Sequence, residues 1–215
     1  MDNTKKLIAG HLLRIGAVFL RPDEPFTWAS GIKSPIYCDN RLILSYPLIR
    51  KDVEAGLAEL VRCHFGEAEG LFGTATAGIA HAALVADILD LPMGYVRSSA
   101  KEHGRTNRIE GRCEAGQKVV VVEDLISTAM SSAQSAVALQ EAGCEVLGVI
   151  SIFTYGMQAA ADTMAEIGVP VESLTDLSTL LDVALEMGFI DERGKKQVLR
   201  FAQNPKDPSW QEDPQ

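Results

Sequence analysis

A chain of 215 residues, 47% of them hydrophobic, is long enough for one α/β domain with a sizeable core, and its net charge of −9 argues against a nucleic-acid surface. No apolar run approaches the roughly 20 residues of a membrane span, and Met1-Asp2-Asn3-Thr4-Lys5-Lys6 lacks the apolar centre of a signal peptide. Cys38, Cys63, Cys113 and Cys144 form no C-x-x-C pair, so they are expected to be free thiols in a reducing cytoplasm, with no zinc site.

Leu7, Ile8, Leu12, Ile15, Val18 and Phe19 recur at helical spacing and predict a helix over 3–20. Residues 25–41 read as two short β pieces around the turn-rich Ser30-Gly31-Ile32-Lys33-Ser34-Pro35, either a plain hairpin over the core or a recognition element. Ser45 is placed to cap a helix reaching about Phe65, with Leu48, Ile49, Val53, Leu57, Leu60 and Val61 on its buried face. Gly70-Leu71-Phe72 then reads as a short strand leading into Gly73-Thr74-Ala75-Thr76-Ala77-Gly78. Such a small-residue loop is a tight packing turn or a place where backbone approaches an anion. A helix over 79–90 and a strand over 93–97 follow. Between 97 and 112, Arg97, Lys101, Arg105, Arg108 and Arg112 face only Glu102 and Glu110, a basic island in an acidic protein. The segment 97–111 has no clear period; it is a functional loop or a solvated charge run.

Lys118-Val119-Val120-Val121-Val122 predicts a strand buried on both faces of a parallel sheet. Glu123 and Asp124 stand at its end, followed by Ser127-Thr128-Ala129-Met130-Ser131 and a helix over 131–142. A strand, a polar loop and a helix start make a site at the carboxyl end of a sheet, where open α/β folds bind ligands. The loop's N–H groups and the helix N-terminus suit a phosphate, and the carboxylates suit sugar hydroxyls or a hydrated metal. The bland alternative is an ordinary strand and helix with incidental acids. A strand over 145–153, a helix over 158–168, an apolar pattern over 174–187 and a helix over 191–201 complete the pattern. Residues 204–215, with three prolines and four charged residues, read as a frayed tail.

The stretch 118–132 resembles the phosphoribosyl pyrophosphate (PRPP) signature of the type I phosphoribosyltransferases: a hydrophobic strand, two acids, then a Thr- and Gly-rich loop. The resemblance implies that Glu123 and Asp124 hold the ribose hydroxyls, and that Ser127, Thr128, Ala129, Met130 and Ser131 hold the 5′-phosphate. Ala129 and Met130 stand where that pattern usually has glycine, and Met130 is expected to tighten the loop. Phe26, Thr27, Ser30, Gly31, Ser34, Pro35 and Tyr37 match the N-terminal hood of the orotate phosphoribosyltransferases. This implies that Ile36 and Tyr37 lie near a planar base and that Lys33 offers charge to the orotate carboxylate. Ala29 occupies the place of a family lysine. The loop 73–78 would contact pyrophosphate, with Thr76 and Ala77 where a tyrosine-lysine pair is common. Arg97, Lys101 and His103 match the family's catalytic loop, with Ser98 where a lysine often follows the arginine. No arginine closes the strand over 145–153, where some members contact the base.

The expected architecture is a single α/β domain over 1–215: a doubly wound, mostly parallel sheet, the type I phosphoribosyltransferase fold. A hood would span about 20–42, a PRPP-binding core about 45–170, and C-terminal helices and tail about 171–215. The expected activity is transfer of ribose 5-phosphate from PRPP to N1 of orotate, giving orotidine monophosphate and pyrophosphate in pyrimidine synthesis. Asp124, Lys101 and His103 are the expected catalytic residues. Mg²⁺ would be held mainly by substrate oxygens and water, and a homodimer would share its active sites. Two alternatives stay open: a phosphoribosyltransferase for another base, and a non-catalytic PRPP-sensing regulator.

Overall fold

The computed structural model describes residues 2–27, 31–98 and 108–212. Helix α1 (Asp2–Arg14) ends well short of the expected residue 20. Gly16 takes the left-handed conformation (φ 65°), its N–H donates to Leu13 O at 3.1 Å, and Ala17 N–H donates to Leu12 O at 2.9 Å. Those paired bonds are a Schellman cap. Val18 and Phe19, which continue the helical spacing, belong instead to strand β1 (Val18–Leu20).

The hood follows as two small antiparallel ladders. Strand β2 (Phe26–Thr27) pairs with β3 (Lys33–Ser34), and β1 pairs with β4 (Ile36–Cys38). A 3₁₀ turn, Asn40–Ser45, then leads to α2 (Pro47–His64). Ser45 does not cap α2 as expected. Tyr46 holds the cap position without a side-chain bond, and Pro47 opens the helix, where its missing N–H is no loss.

The remaining elements alternate: β5 (Gly70–Thr74), α3 (Ala77–Leu89), β6 (Met93–Val96), β7 (Ile109–Glu110), β8 (Lys118–Ile126), α4 (Met130–Glu141), β9 (Glu145–Thr154), α5 (Gln158–Glu166), β10 (Val171–Asp176), α6 (Leu177–Glu186) and α7 (Glu192–Gln203). Among the described residues the main sheet runs β10-β9-β8-β5-β6-β7, parallel throughout except for β7 against β6. Val119, Val120, Val121 and Val122 all have no exposed surface, as the sequence predicts for a doubly covered strand. Val120 and Val122 join the layer of α1, α2, α3 and α6, while Val119 and Val121 join that of α4 and α5. The sheet is therefore doubly wound, as expected.

Three further expectations need correction. Strand β10 was not expected; Val171-Glu172-Ser173-Leu174-Thr175-Asp176 has too few apolar residues to stand out, and its Leu174 fits the spacing of the helix that follows. The tail is not frayed through residue 212: a 3₁₀ turn at Pro208–Gln211 buries Trp210 edge-on against Phe201, ring centroids 5.8 Å apart. Nor are all four cysteines free, because Cys113 is bonded to Cys144. Each of these two precedes one of the neighbouring parallel strands β8 and β9, whose starts pair as Lys118 with Glu145. Spacing alone could not show that proximity.

Candidate active site

Parallel pairing brings the carboxyl ends of β5, β6, β8 and β9 to one edge of the sheet. The two acids lie there, and they differ. Glu123 is 4% exposed and faces α4. Its Oε2 accepts from Ser131 Oγ at 3.1 Å and Ser132 Oγ at 3.2 Å, and its Oε1 accepts from Asp124 N–H at 3.1 Å. Burial, and then the neighbouring charge of Asp124, push the Glu123 carboxyl up to about 8.

Asp124 is half-buried and lies on the hood side of the strand end. Asn40 Nδ2 donates to Asp124 O at 2.7 Å, and burial together with the charges of Asp124 and Asp39 pushes the Cys38 thiol up. Tyr155, just past β9, is buried, and burial raises its phenol in turn. Asn40, Cys38 and Tyr155 were not singled out from the sequence. Their only signal is position: Asn40 and Cys38 close the hood stretch, and Tyr155 follows the end of a core strand.

The loop after β8 carries the positive φ at Ala129 (60°), not at Met130. Met130 is the first residue of α4 and is 55% exposed. The expected tightening therefore falls one residue earlier, on the N-cap of α4. Ala129 itself is buried against the core, while Thr128 and Ser131 are exposed and Ser127 is half-buried. These side chains and the free N–H groups of the first turn of α4 can receive an anion.

On the next strand, the loop after β5 is held tightly. A Cβ on Gly73 would sit 2.7 Å from Gly78 O, and one on Gly78 would run into Val122 O. These glycines let the start of α3 lie directly against β5 and β8. Thr76 is exposed and Ala77 half-buried at the N-terminus of α3. Thr74, expected in the loop, is the last residue of β5. Its buried Oγ1 and Arg97 Nη1 have no hydrogen-bond partner among the described residues.

Arg97 follows β6. Its N–H donates to Arg108 O at 2.8 Å, Arg108 Nε donates back to Arg97 O at 2.9 Å, and its guanidinium lies 3.7 Å from Glu110. The aperiodic segment thus springs from a closed two-stranded base. Lys101 and His103 lie outside the described residues.

In the hood, Lys33 Nζ donates to Thr27 Oγ1 at 2.7 Å, and Tyr37 is exposed with its ring 5.6 Å from that of Phe26. Ile36 does not lie on the same side. Alternation along β4 turns it into the core with no exposed surface, which corrects the expectation that it flanks a base. Among the described residues no three His, Cys, Asp or Glu side chains cluster as metal ligands, and no helix is long and apolar enough to cross a membrane.

No family model matches the chain. It is 58% identical over 206 residues to the orotate phosphoribosyltransferase of Bacillus cytotoxicus, a match covering 96% of this chain and 98% of that one. It is 59% identical over 206 residues to the orotate phosphoribosyltransferase of Bacillus subtilis, covering 96% and 95%. Among solved structures, the orotate phosphoribosyltransferase of Aeropyrum pernix superposes with a TM-score of 0.74 and 32% identity, over 85% of this chain and 99% of that one.

Proposed function

The chain belongs to the orotate phosphoribosyltransferase family, and we propose that it transfers the ribose 5-phosphate group of PRPP to N1 of orotate, releasing pyrophosphate and giving orotidine monophosphate for pyrimidine synthesis. The near-complete match to curated relatives at 58% identity carries this reading. The edge of acids, hydroxyls and helix N-termini at β5, β6 and β8 supports the division of labour that follows.

Breaking the ribose C1–O bond builds positive charge on the sugar and negative charge on the departing pyrophosphate, so positioning and electrostatics carry the rate. Asp124, half-buried beside the hood, accepts the ribose hydroxyls. Glu123, bonded to Ser131 and Ser132, braces the phosphate loop and offers a hydroxyl contact from its buried side. Ser127, Thr128 and Ser131, with the backbone of Ala129 and Met130, receive the 5′-phosphate. Thr76, Ala77 and Arg97 receive the pyrophosphate, where Lys101 and His103 complete the neutralisation. Tyr37 and Lys33 face the base and its carboxylate.

The donor set fits Mg²⁺ that arrives on substrate oxygens and water rather than a resident ion, because one of the two adjacent acids is buried and raised and no third acid joins them among the described residues. When bound, it neutralises pyrophosphate charge. We place the whole chain, as one catalytic domain, in the cytoplasm as a homodimer with shared sites. Cys38 and Cys63 are free thiols, as a reducing compartment requires, whereas the Cys113–Cys144 bond fits an oxidising one.

The direct test is formation of orotidine monophosphate from orotate, PRPP and Mg²⁺, run beside adenine, uracil and hypoxanthine. Turnover of orotate alone is expected. Preference for another base, or PRPP binding without turnover, would overturn the assignment.

A further inference from the structure

Asn40 has no exposed surface, and its Nδ2 donates to Asp124 O at 2.7 Å across 84 residues of sequence. A carbonyl only accepts, so the amide must present its NH₂ group to β8 and its oxygen to Cys38, whose thiol donates to Asn40 Oδ1 at 3.3 Å. The place of this contact matters. The neighbouring strand β5 pairs with β8 only as far as Gly73 with Val122. Strand β5 stops at Thr74 and turns away into α3, so on its β5 flank β8 has no strand level with Asp124, while β9 still pairs with Glu123 and Leu125 on the other flank. Asn40 supplies the hydrogen bond that a longer β5 would have supplied. Cys38, on the last residue of β4, fixes the amide from the hood side.

We infer that Asn40 is a positioning residue: its buried amide replaces the missing strand beside β8, sets the backbone that carries the Asp124 carboxylate, and ties that setting to the hood. This rests on the reading above that Asp124 binds the ribose of PRPP. Asn40 itself is fully buried, bonded to the backbone of Asp124, and needs no contact with substrate. Removing the amide leaves a buried carbonyl unpaired and frees the turn of chain that aims Asp124.

The test is a double-mutant cycle on PRPP affinity, measured calorimetrically with Mg²⁺ on wild type, Asn40→Ala, Asp124→Asn and the double variant. Asn40→Ala is expected to weaken PRPP binding about tenfold in the wild-type background, the scale of one lost hydrogen bond to a critical group. In the Asp124→Asn background it is expected to cost under about twofold, because the carboxylate it aims is already gone. A merely structural role lowers the melting temperature and gives the same loss in both backgrounds, and that additivity overturns the inference. If Asn40→Ala does not fold, Asn40→Ser carries the same cycle. Its shorter hydroxyl can still donate, so a smaller loss with the same non-additivity is expected, and additivity refutes there too. Wild type that fails to bind PRPP, or Asp124→Asn that binds it normally, overturns the reading of the site and this inference with it. Additive losses beside normal wild-type binding overturn this inference alone.

Discussion

Glu123→Gln tests the electrostatics of the acid pair without any substrate. In the folded chain the carboxyl is raised to about 8 by burial and by Asp124, against an ordinary value of 4.5. A group whose folded pKa lies above its unfolded one contributes stability that is fully present below the unfolded value. That contribution is lost as pH rises toward the folded value, because the unfolded chain releases its proton first. The slope is about 1.4 kcal/mol per pH unit. Relative to a side chain that stays neutral, the wild type therefore loses about 3 kcal/mol by pH 7 and no more beyond about pH 8. Glutamine keeps the shape, and its Oε1 still accepts the Asp124 N–H. The Ser131 and Ser132 hydroxyls, which donate to Oε2 in the wild type, can turn to accept from the amide. The assay is urea unfolding followed by circular dichroism in half-unit steps from pH 5 to pH 9, on both proteins. Taking the difference cancels the other titrating groups. The variant should gain on the wild type steadily across the window and then level off. A difference that stays constant with pH would refute the claim that Glu123 is held neutral.

Four further outcomes follow from other parts of the molecule. Asp124→Asn keeps shape and removes charge; charge-assisted hydrogen bonds contribute about 1.5–3 kcal/mol, so kcat/KM for PRPP should fall about one to two decades, and wild-type kinetics would remove Asp124 from its role. Ala129→Gly relieves a left-handed alanine at about 1 kcal/mol while losing a buried methyl of about 0.8 kcal/mol, so the melting temperature should move little and PRPP affinity should hold, whereas Met130→Gly weakens the first turn of α4 and gains nothing; the reverse order in thermal melts and calorimetry would place the constraint at Met130. Trp210→Ala should lower stability by about 3 kcal/mol, as for other buried aromatics, while an unchanged urea midpoint would mean that the tail is not docked in solution. Mixing Lys101→Ala with Asp124→Asn and letting subunits exchange should restore about a quarter of wild-type activity if a two-fold dimer shares its sites; no recovery with heterodimers confirmed by mass spectrometry would show that each chain closes over its own site.

Much of the fold was legible because burial leaves a mark in composition. Four valines in a row can only be satisfied by apolar cover on both sides, and the structure provides it. The position of the acid pair and the hydroxyl loop at the carboxyl end of that strand was legible too, although Glu123 turns inward onto Ser131 and Ser132 and only Asp124 stays half-exposed. What failed was decided by single backbone conformations or by contacts distant in sequence. Gly16 stops α1 although the apolar spacing runs on. Ile36 and Tyr37 are adjacent in sequence but on opposite sides of β4, and only the strand's register decides which one is outside. The Asn40–Asp124 bond spans 84 residues and has no periodic signal at all. Strand β10 is an edge strand with few apolar residues, so its pairing with β9 is visible only once the sheet is assembled.

The loop between β5 and α3 separates what can vary from what cannot. Gly73 and Gly78 sit where any side chain meets backbone, which cannot retreat, while Thr76 between them is exposed and Ala77 half-exposed. Mutation can therefore rewrite the chemistry offered to an anion, charge and hydroxyls included, while the path of the chain stays fixed. Descendants of this sequence are free to change two side chains at this loop without renegotiating the core. A library randomised at residues 76 and 77 should keep most of its members folded, and one randomised at residues 73 and 78 should keep almost none.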